Sequence, residues 1–101
     1  MDIQVQHNEN TSAIIIEKDQ LLGKENETFQ AIVKDLIEHG SKNILVDLTK
    51  VKFITSWAIE SFIHAYKMCM NKNIDFRLKN VNSNVKNILS TLRLDSVIKI
   101  V

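Results

Sequence analysis

The 101-residue chain has no proline, two glycines, one cysteine and six aromatic side chains, and its longest unbroken apolar runs are only a few residues. Each scarcity removes a class of protein. A single cysteine, Cys69, allows no internal disulfide and fits a reducing compartment. Short apolar runs leave nothing to cross a bilayer, for which about 20 residues are needed. The opening "MDIQVQHNEN" has neither a basic start nor an apolar core of a signal peptide, so a cytoplasmic location is expected. Two glycines cannot build the glycine-rich phosphate loops, and no nucleophile elbow of the G-x-S-x-G kind is present. A net charge of +1 gives no general attraction for nucleic acid, and the lysines are scattered rather than clustered.

What remains is 45% hydrophobic, enough for one small core and one domain over residues 1–101. Charge is polarised along the chain. Residues 1–40 carry eight acids and three bases, residues 41–101 four acids and ten bases. Such a chain could steer a charged partner or stack on itself.

Hydrophobic spacing gives the elements. "DIQVQH" alternates as a half-buried edge strand, "TSAIIIEK" is a denser strand, and the turn-rich "HNENT" between them predicts a hairpin. Gly23 is placed in the following loop. Phe29, Ile32, Val33, Leu36 and Ile37 then form a stripe on a helix from about residue 25 to 39, stopped by Gly40. "NILVDL" reads as a strand covered by helices. A second helix spans 56–71, with Ile59, Phe62, Ile63, Tyr66 and Met70 inward and Glu60, Ser61, His64, Lys67 and Asn71 outward. "IDFRLKNV" is a strand, residues 84–93 a third helix with Ser83 as its N-cap, and "VIKIV" the last strand. The order ββαβαβαβ predicts an α/β fold. Its sheet has four or five mostly parallel strands and an antiparallel N-terminal edge.

Chemistry is thinly represented. His7, His39, His64 and Cys69 fall on different elements or faces, so no metal site and no cofactor are expected. Cys69 is expected to be a small buried or half-buried filler, with Met68 and Met70 beside it as core packing. Ser56, His64 and Asp47 could be drawn as a triad. However, His64 lies eight residues beyond Ser56 on one helix, about 12 Å away, against a hydrogen-bond reach of about 3 Å. No catalytic residue is assigned, and the chain is not expected to be an enzyme.

The element order and the segment "NILVDLTKVKFITSWAIESFIHAYKM", with "FRLKNVNSNVKNILSTLRLDSVIKI" after it, resemble the STAS domain family over practically the whole chain. Bacterial single-domain members of that family act as anti-sigma factor antagonists. The resemblance implies a STAS-like sheet with helices packed on it. It also implies a partner surface at the early loop and the start of the second helix. In this chain that surface comprises Leu21, Leu22, Gly23, Phe53, Thr55, Ser56, Trp57, Ala58, Glu60 and Ser61. Asp47 and Leu48 match the family's strand end, and Val51 and Phe53 its apolar step. Where members enter the helix through Asp-Ser-Ser-Gly, this chain has Thr55, Ser56, Trp57 and Ala58. Trp57 therefore occupies the position of the serine that partner kinases phosphorylate. In the early loop, Asp19, Gln20, Leu21 and Leu22 stand where members often carry Gly-x-Leu-Asp, and only Leu21 keeps the pattern.

Indole has no hydroxyl to accept a phosphoryl group, so residue 57 is not the modified one. Ser56 and Thr55 are the remaining acceptors, although either hydroxyl could simply cap the helix. The Trp57 ring could pack inward against the early loop or point outward as an interface anchor. The resemblance implies a non-enzymatic interaction module whose partner is a serine-kinase-like anti-sigma factor. The competing function is a structural or scaffold subunit of a larger signalling or transport-associated assembly, through self-association into a homo-oligomer. A small enzyme or ligand-binding domain would need a pocket with convergent polar groups.

Overall fold

A computed structural model describes residues 2–20 and 23–101. Alternation in the first segment produces a hairpin. Strand β1 (Ile3–Asn8) pairs antiparallel with β2 (Thr11–Ile16), and the chain reverses over Glu9, at φ +49°, and Asn10. Helix α1 (Gly23–Glu38) follows, then β3 (Asn43–Asp47), α2 (Ser56–Asn71), β4 (Asp75–Lys79), α3 (Ser83–Thr91), a 3-10 turn (Leu94–Ser96) and β5 (Lys99–Ile100). The strands lie side by side in chain order, and every pair after the first is parallel. The sheet thus has five strands with the antiparallel strand at its N-terminal edge, as the element order predicts.

The register explains the core. Ile3, Ile16, Ile14, Val46, Ile44, Leu78 and Phe76 recur at alternate positions, and all are buried. They share one cluster with Phe29, Val33 and Leu36 of α1, Phe62 and Ala65 of α2, and Val85 and Leu89 of α3. At its centre the Phe29 and Phe62 rings meet edge to face, with centroids 5.6 Å apart.

Several boundaries differ from the expectation. Helix α1 begins at Gly23, so that glycine opens the helix instead of lying in the loop. Gly40 does end it, at φ +85°, where a Cβ would be strained. Helix α3 is capped by Asn82, not Ser83. The Asn82 side-chain oxygen accepts from Val85 N–H while its amide nitrogen donates to the Val51 carbonyl, two tasks at once that a serine hydroxyl is too short to perform. The helix closes at Thr91 and the last strand pairs only over two residues, because Arg93 turns left-handed (φ +59°) into the 3-10 turn.

Helix α2 has the expected bounds but a rotated inner face. Its buried residues are Ala58, Ser61, Phe62, Ala65 and Cys69, whereas Ile59, Ile63 and Tyr66 are half-buried and Met70 is exposed. Small side chains turn inward because they let α2 approach α1 and the sheet closely. A stripe of large side chains would hold the helix off. Ser61 therefore belongs inside and Met70 outside, the reverse of the hydrophobicity reading. "NILVDL" is covered on one face only: Ile44 and Val46 enter the core, and Leu45 stays half-buried on the other side.

Candidate functional site

Strands β2, β3 and β4 all deliver their C-terminal ends to one rim of the sheet. The loops leaving them converge there. Leu48 N–H donates to the Lys79 carbonyl, and Val51 N–H donates back to Leu48, closing a tight step after β3. Lys52 and Phe53 N–H groups both donate to the Asp19 carbonyl, at 2.8 and 3.2 Å, which ties this step to the loop after β2. The Asn82 bond to Val51 ties it to the loop after β4. Ion pairs of Lys50 with Glu17 and of Lys18 with Glu25 brace the outside. The mouth of α2 is therefore held from three sides by bonds that are mostly backbone.

Asp47 ends β3 at this rim. Burial alone would raise its pKa, but hydrogen bonds from the Thr49 hydroxyl and N–H and from Asn80, with Lys79 nearby, hold it below the ordinary carboxylate value. With its carboxylate engaged in this turn, Asp47 is a structural anion. No hydrogen bond links it to Ser56 or His64, and His64 is exposed on α2.

Thr55 caps the helix: its backbone is extended and its hydroxyl oxygen accepts from Ala58 N–H at 3.2 Å. Ser56 is the first helical residue and is exposed. Trp57 is next and points outward, with 65% of its surface exposed; Phe53, just before the cap, is 56% exposed. Helix spacing alone does not set this direction, since Ser61, four residues on and on the same face, is buried; Trp57 lies in the first turn of α2, at the rim.

The rim brings together Phe53, Thr55, Ser56, Trp57 and Glu60, with Glu60 also exposed. It does not bring the side chains of Ala58 and Ser61 to the surface, since both are buried. Leu21 and Leu22 lie outside the described residues. Sequence reasoning missed the polar seam behind the site. Gln30 of α1 donates its amide to both the carbonyl (2.7 Å) and the hydroxyl (2.8 Å) of Ser61, and Asn26, one turn earlier, is a further buried polar side chain. Asn26 falls three residues before Phe29, and Gln30 directly after it, an interruption of the α1 stripe that marked the seam.

Away from the rim the chain offers little chemistry. Among the described residues no group of three or more His, Cys, Asp or Glu side chains is placed to hold a metal. Cys69 is buried, and burial pushes its thiol up to about 11. A depression lined by Ile37, Glu38, Lys42, Lys72 and Ile74 lies at the opposite end of the sheet from the α2 mouth. No helix of the described residues is long and apolar enough to cross a membrane.

Comparisons with known proteins converge on this architecture. The chain is similar in structure to an anti-sigma-factor antagonist (STAS) domain protein from Planctomyces limnophilus, at 22% identity and TM-score 0.83, covering 99% of this chain and 88% of the other. A Thermotoga maritima protein, itself a candidate anti-sigma factor antagonist, aligns at 22% identity and TM-score 0.81 over 97% of this chain and 84% of its own. The Bacillus cell-fate determinant SpoIIAA in its phosphorylated form aligns at 14% identity and TM-score 0.77, over 98% and 90% of the two chains. No protein of curated function matches the sequence. These likenesses carry the fold; the family rests on the STAS domain profile, which matches residues 2–101. The chain belongs to the STAS domain family.

Proposed function

We propose that this chain, as one domain over residues 1–101, is a non-enzymatic interaction module of the anti-sigma-factor-antagonist kind, acting in the cytoplasm. It docks a serine-kinase-like anti-sigma partner through the loop after β2 and the mouth of α2, with no phosphorylation at residue 57. The observation that carries this reading is the exposed pair Phe53 and Trp57 beside the capped start of α2, on a loop braced to its neighbours. Large apolar rings held outward on a rigid support are the usual anchors of an interface, at low entropic cost on binding. Family membership and the likeness to antagonists support the partner class. With Ala58 and Ser61 buried, the docking side chains reduce to Phe53, Ser56, Trp57 and Glu60, with Thr55 holding the helix start and the early loop alongside.

Phosphorylation in this fold would place about −1.5 to −2 charges beside the positive helix end and repel a partner fitted to the neutral surface. Trp57 cannot receive it, so binding is constitutive unless Ser56 takes over. Calorimetry with an anti-sigma kinase from the source genome tests the reading: Trp57→Ala should weaken binding by about 2 kcal/mol or more. Mass spectrometry after incubation with that kinase and ATP should find no phosphate at residue 57. Phosphate on wild-type Ser56, accompanied by weaker binding, would replace the constitutive reading with a switch moved by one residue. Absence of any binding would remove the partner assignment.

A further inference from the structure

Right-handed crossovers running in one direction, β2 to β3 to β4 to β5, set all three helices on one face of the sheet and leave the other bare. They also leave two edges, and the chain treats these differently. Strand β5 is two residues long, carries the exposed Lys99 and follows the 3-10 turn, so its edge offers little to pair with. Strand β1 is six residues in unbroken register with β2, and it contains no proline, lysine, arginine or acid. Nothing on β1 discourages a further strand.

The register shows what the open edge presents. Glu17 N–H donates to the Asp2 carbonyl at 2.7 Å, so every second pair from there, Gln4–Ile15, Gln6–Ala13 and Asn8–Thr11, is of the hydrogen-bonded kind. The N–H and C=O groups of Ile3, Val5 and His7 therefore point away from β2, and among the described residues nothing pairs with them. Their side chains face the helices, Ile3 within the core cluster and Val5 packed against it. A groove runs beside them, between β1 and the flank of α1. Towards His7 it is lined by Val5, Thr28, Ala31, Ile32 and Asp35, and towards Asp2 by Ile3, Lys24 and Glu25. The Asp2 end is balanced, because Lys24 stands there and Lys18 pairs both Asp2 and Glu25. The His7 end is acidic: Asp35 keeps 67% of its side chain exposed, beside His39.

We infer that this edge is a strand-addition site for an extended segment of another protein. The segment pairs antiparallel with β1, drops alternate apolar side chains into the groove and sets an arginine or lysine near its N-terminal end against Asp35. Antiparallel pairing gives the more stable ladder and brings that end to His7. Each residue opposite Ile3, Val5 or His7 exchanges two backbone bonds with it, about six in all, and turns its side chain to the groove. A second copy of this chain does not suit the site. Its own β1 already directs Ile3 and Val5 beneath its own α1, so pairing β1 with β1 leaves the groove unfilled.

The site uses none of the side chains at the α2 mouth, and the test keeps the two apart. The probe is a capped heptapeptide, Thr-Arg-Thr-Val-Thr-Val-Thr, whose arginine and valines fall opposite His7, Val5 and Ile3. Titrated to about 1 mM into the isotope-labelled whole chain, it should bind saturably. Amide exchange at Ile3, Val5 and His7 should slow about tenfold or more, with the Trp57 resonances unmoved. Methylating the peptide's arginine and valine backbone nitrogens removes the ladder donors and should abolish binding. Ala31→Arg, at an exposed helix position where folding is not at stake, fills the groove and should weaken binding about tenfold. Asp35→Lys should weaken it about threefold and favour an analogue with glutamate in place of the arginine. No binding at 1 mM, binding indifferent to the methylation or to Ala31→Arg, or protection at Trp57 instead of Val5 would each overturn the inference. So would protection of Val5 in the chain alone that rises with its concentration, which would give the edge to a second copy.

Discussion

Phe62 and Trp57 stand five residues apart on one helix and have opposite fates. Phe62 is 1% exposed and pressed edge-on against Phe29, while Trp57 leaves 65% of its surface in water. Both are large aromatic residues, and hydrophobicity alone would bury both. Their difference shows that α2 has two parts with separate duties. From Ala58 onward its inner face, small except for Phe62, fixes the helix against α1 and the sheet. The mouth before it is supported by hydrogen bonds and needs no burial of its own. The fold can hold an exposed indole there because nothing in the core depends on it.

The comparison can be broken most severely from inside. Phe62→Ala should cost about 3–5 kcal/mol, a large share of the roughly 5–15 kcal/mol that keeps a small domain folded. Chemical denaturation of the variant measures it. If the loss were under about 1 kcal/mol, the Phe29–Phe62 contact would not be the centre of this core.

The buried face also predicts an inert thiol. With a pKa of about 11 against an ordinary 9.0, Cys69 carries roughly 100-fold less thiolate near pH 8 than a free cysteine, so iodoacetamide should label it only through unfolding. Because the folded pKa is the higher one, the protonated thiol favours the fold. Its contribution is intact below pH 9.0 and declines as pH rises from there through about 11. Cys69→Ala should flatten that decline relative to wild type in urea titrations across the same range. Equal slopes in the two proteins would show that the thiol is not desolvated.

At the boundary between the two parts, Thr55→Ala removes the oxygen that accepts from Ala58 N–H, and should cost about 1 kcal/mol. Thr55→Ser should recover most of it, which separates capping from packing of the methyl group. The smallest effect belongs to the mouth: Trp57→Ala should change stability by no more than about 0.5 kcal/mol, as at other exposed positions. A larger loss in thermal melting would place the ring in a stabilising contact and weaken its reading as a docking anchor.

The strand and helix order was legible because each segment repeats its own period. Ile3 and Val5 alternate, Phe29, Val33 and Leu36 recur at helical spacing, and the left-handed stop at Gly40 is a local backbone property. The motif around Ser56 was equally legible as a resemblance, since it is continuous in sequence. Burial along α2 was not. A sequence shows which residues are apolar, but which of several apolar faces turns inward depends on how near the neighbouring helix must come. Gln30 meeting Ser61 across 31 positions, and Ala58, Ala65 and Cys69 making room, decided that Ser61 is buried and Met70 exposed.

By itself the sequence determined the class of fold, the absence of an acceptor hydroxyl at residue 57 and the residues available for a cap. Those properties are written in side-chain identity and short-range spacing. Only the tertiary structure decided that Asn82 rather than Ser83 caps α3, that Trp57 faces water, and that Ile15 and Leu45 lie on a face without a helix. Each of these depends on groups distant in the chain, such as the Val51 carbonyl for Asn82 and the common direction of three crossovers for the bare face, and direction is a property of the assembled sheet.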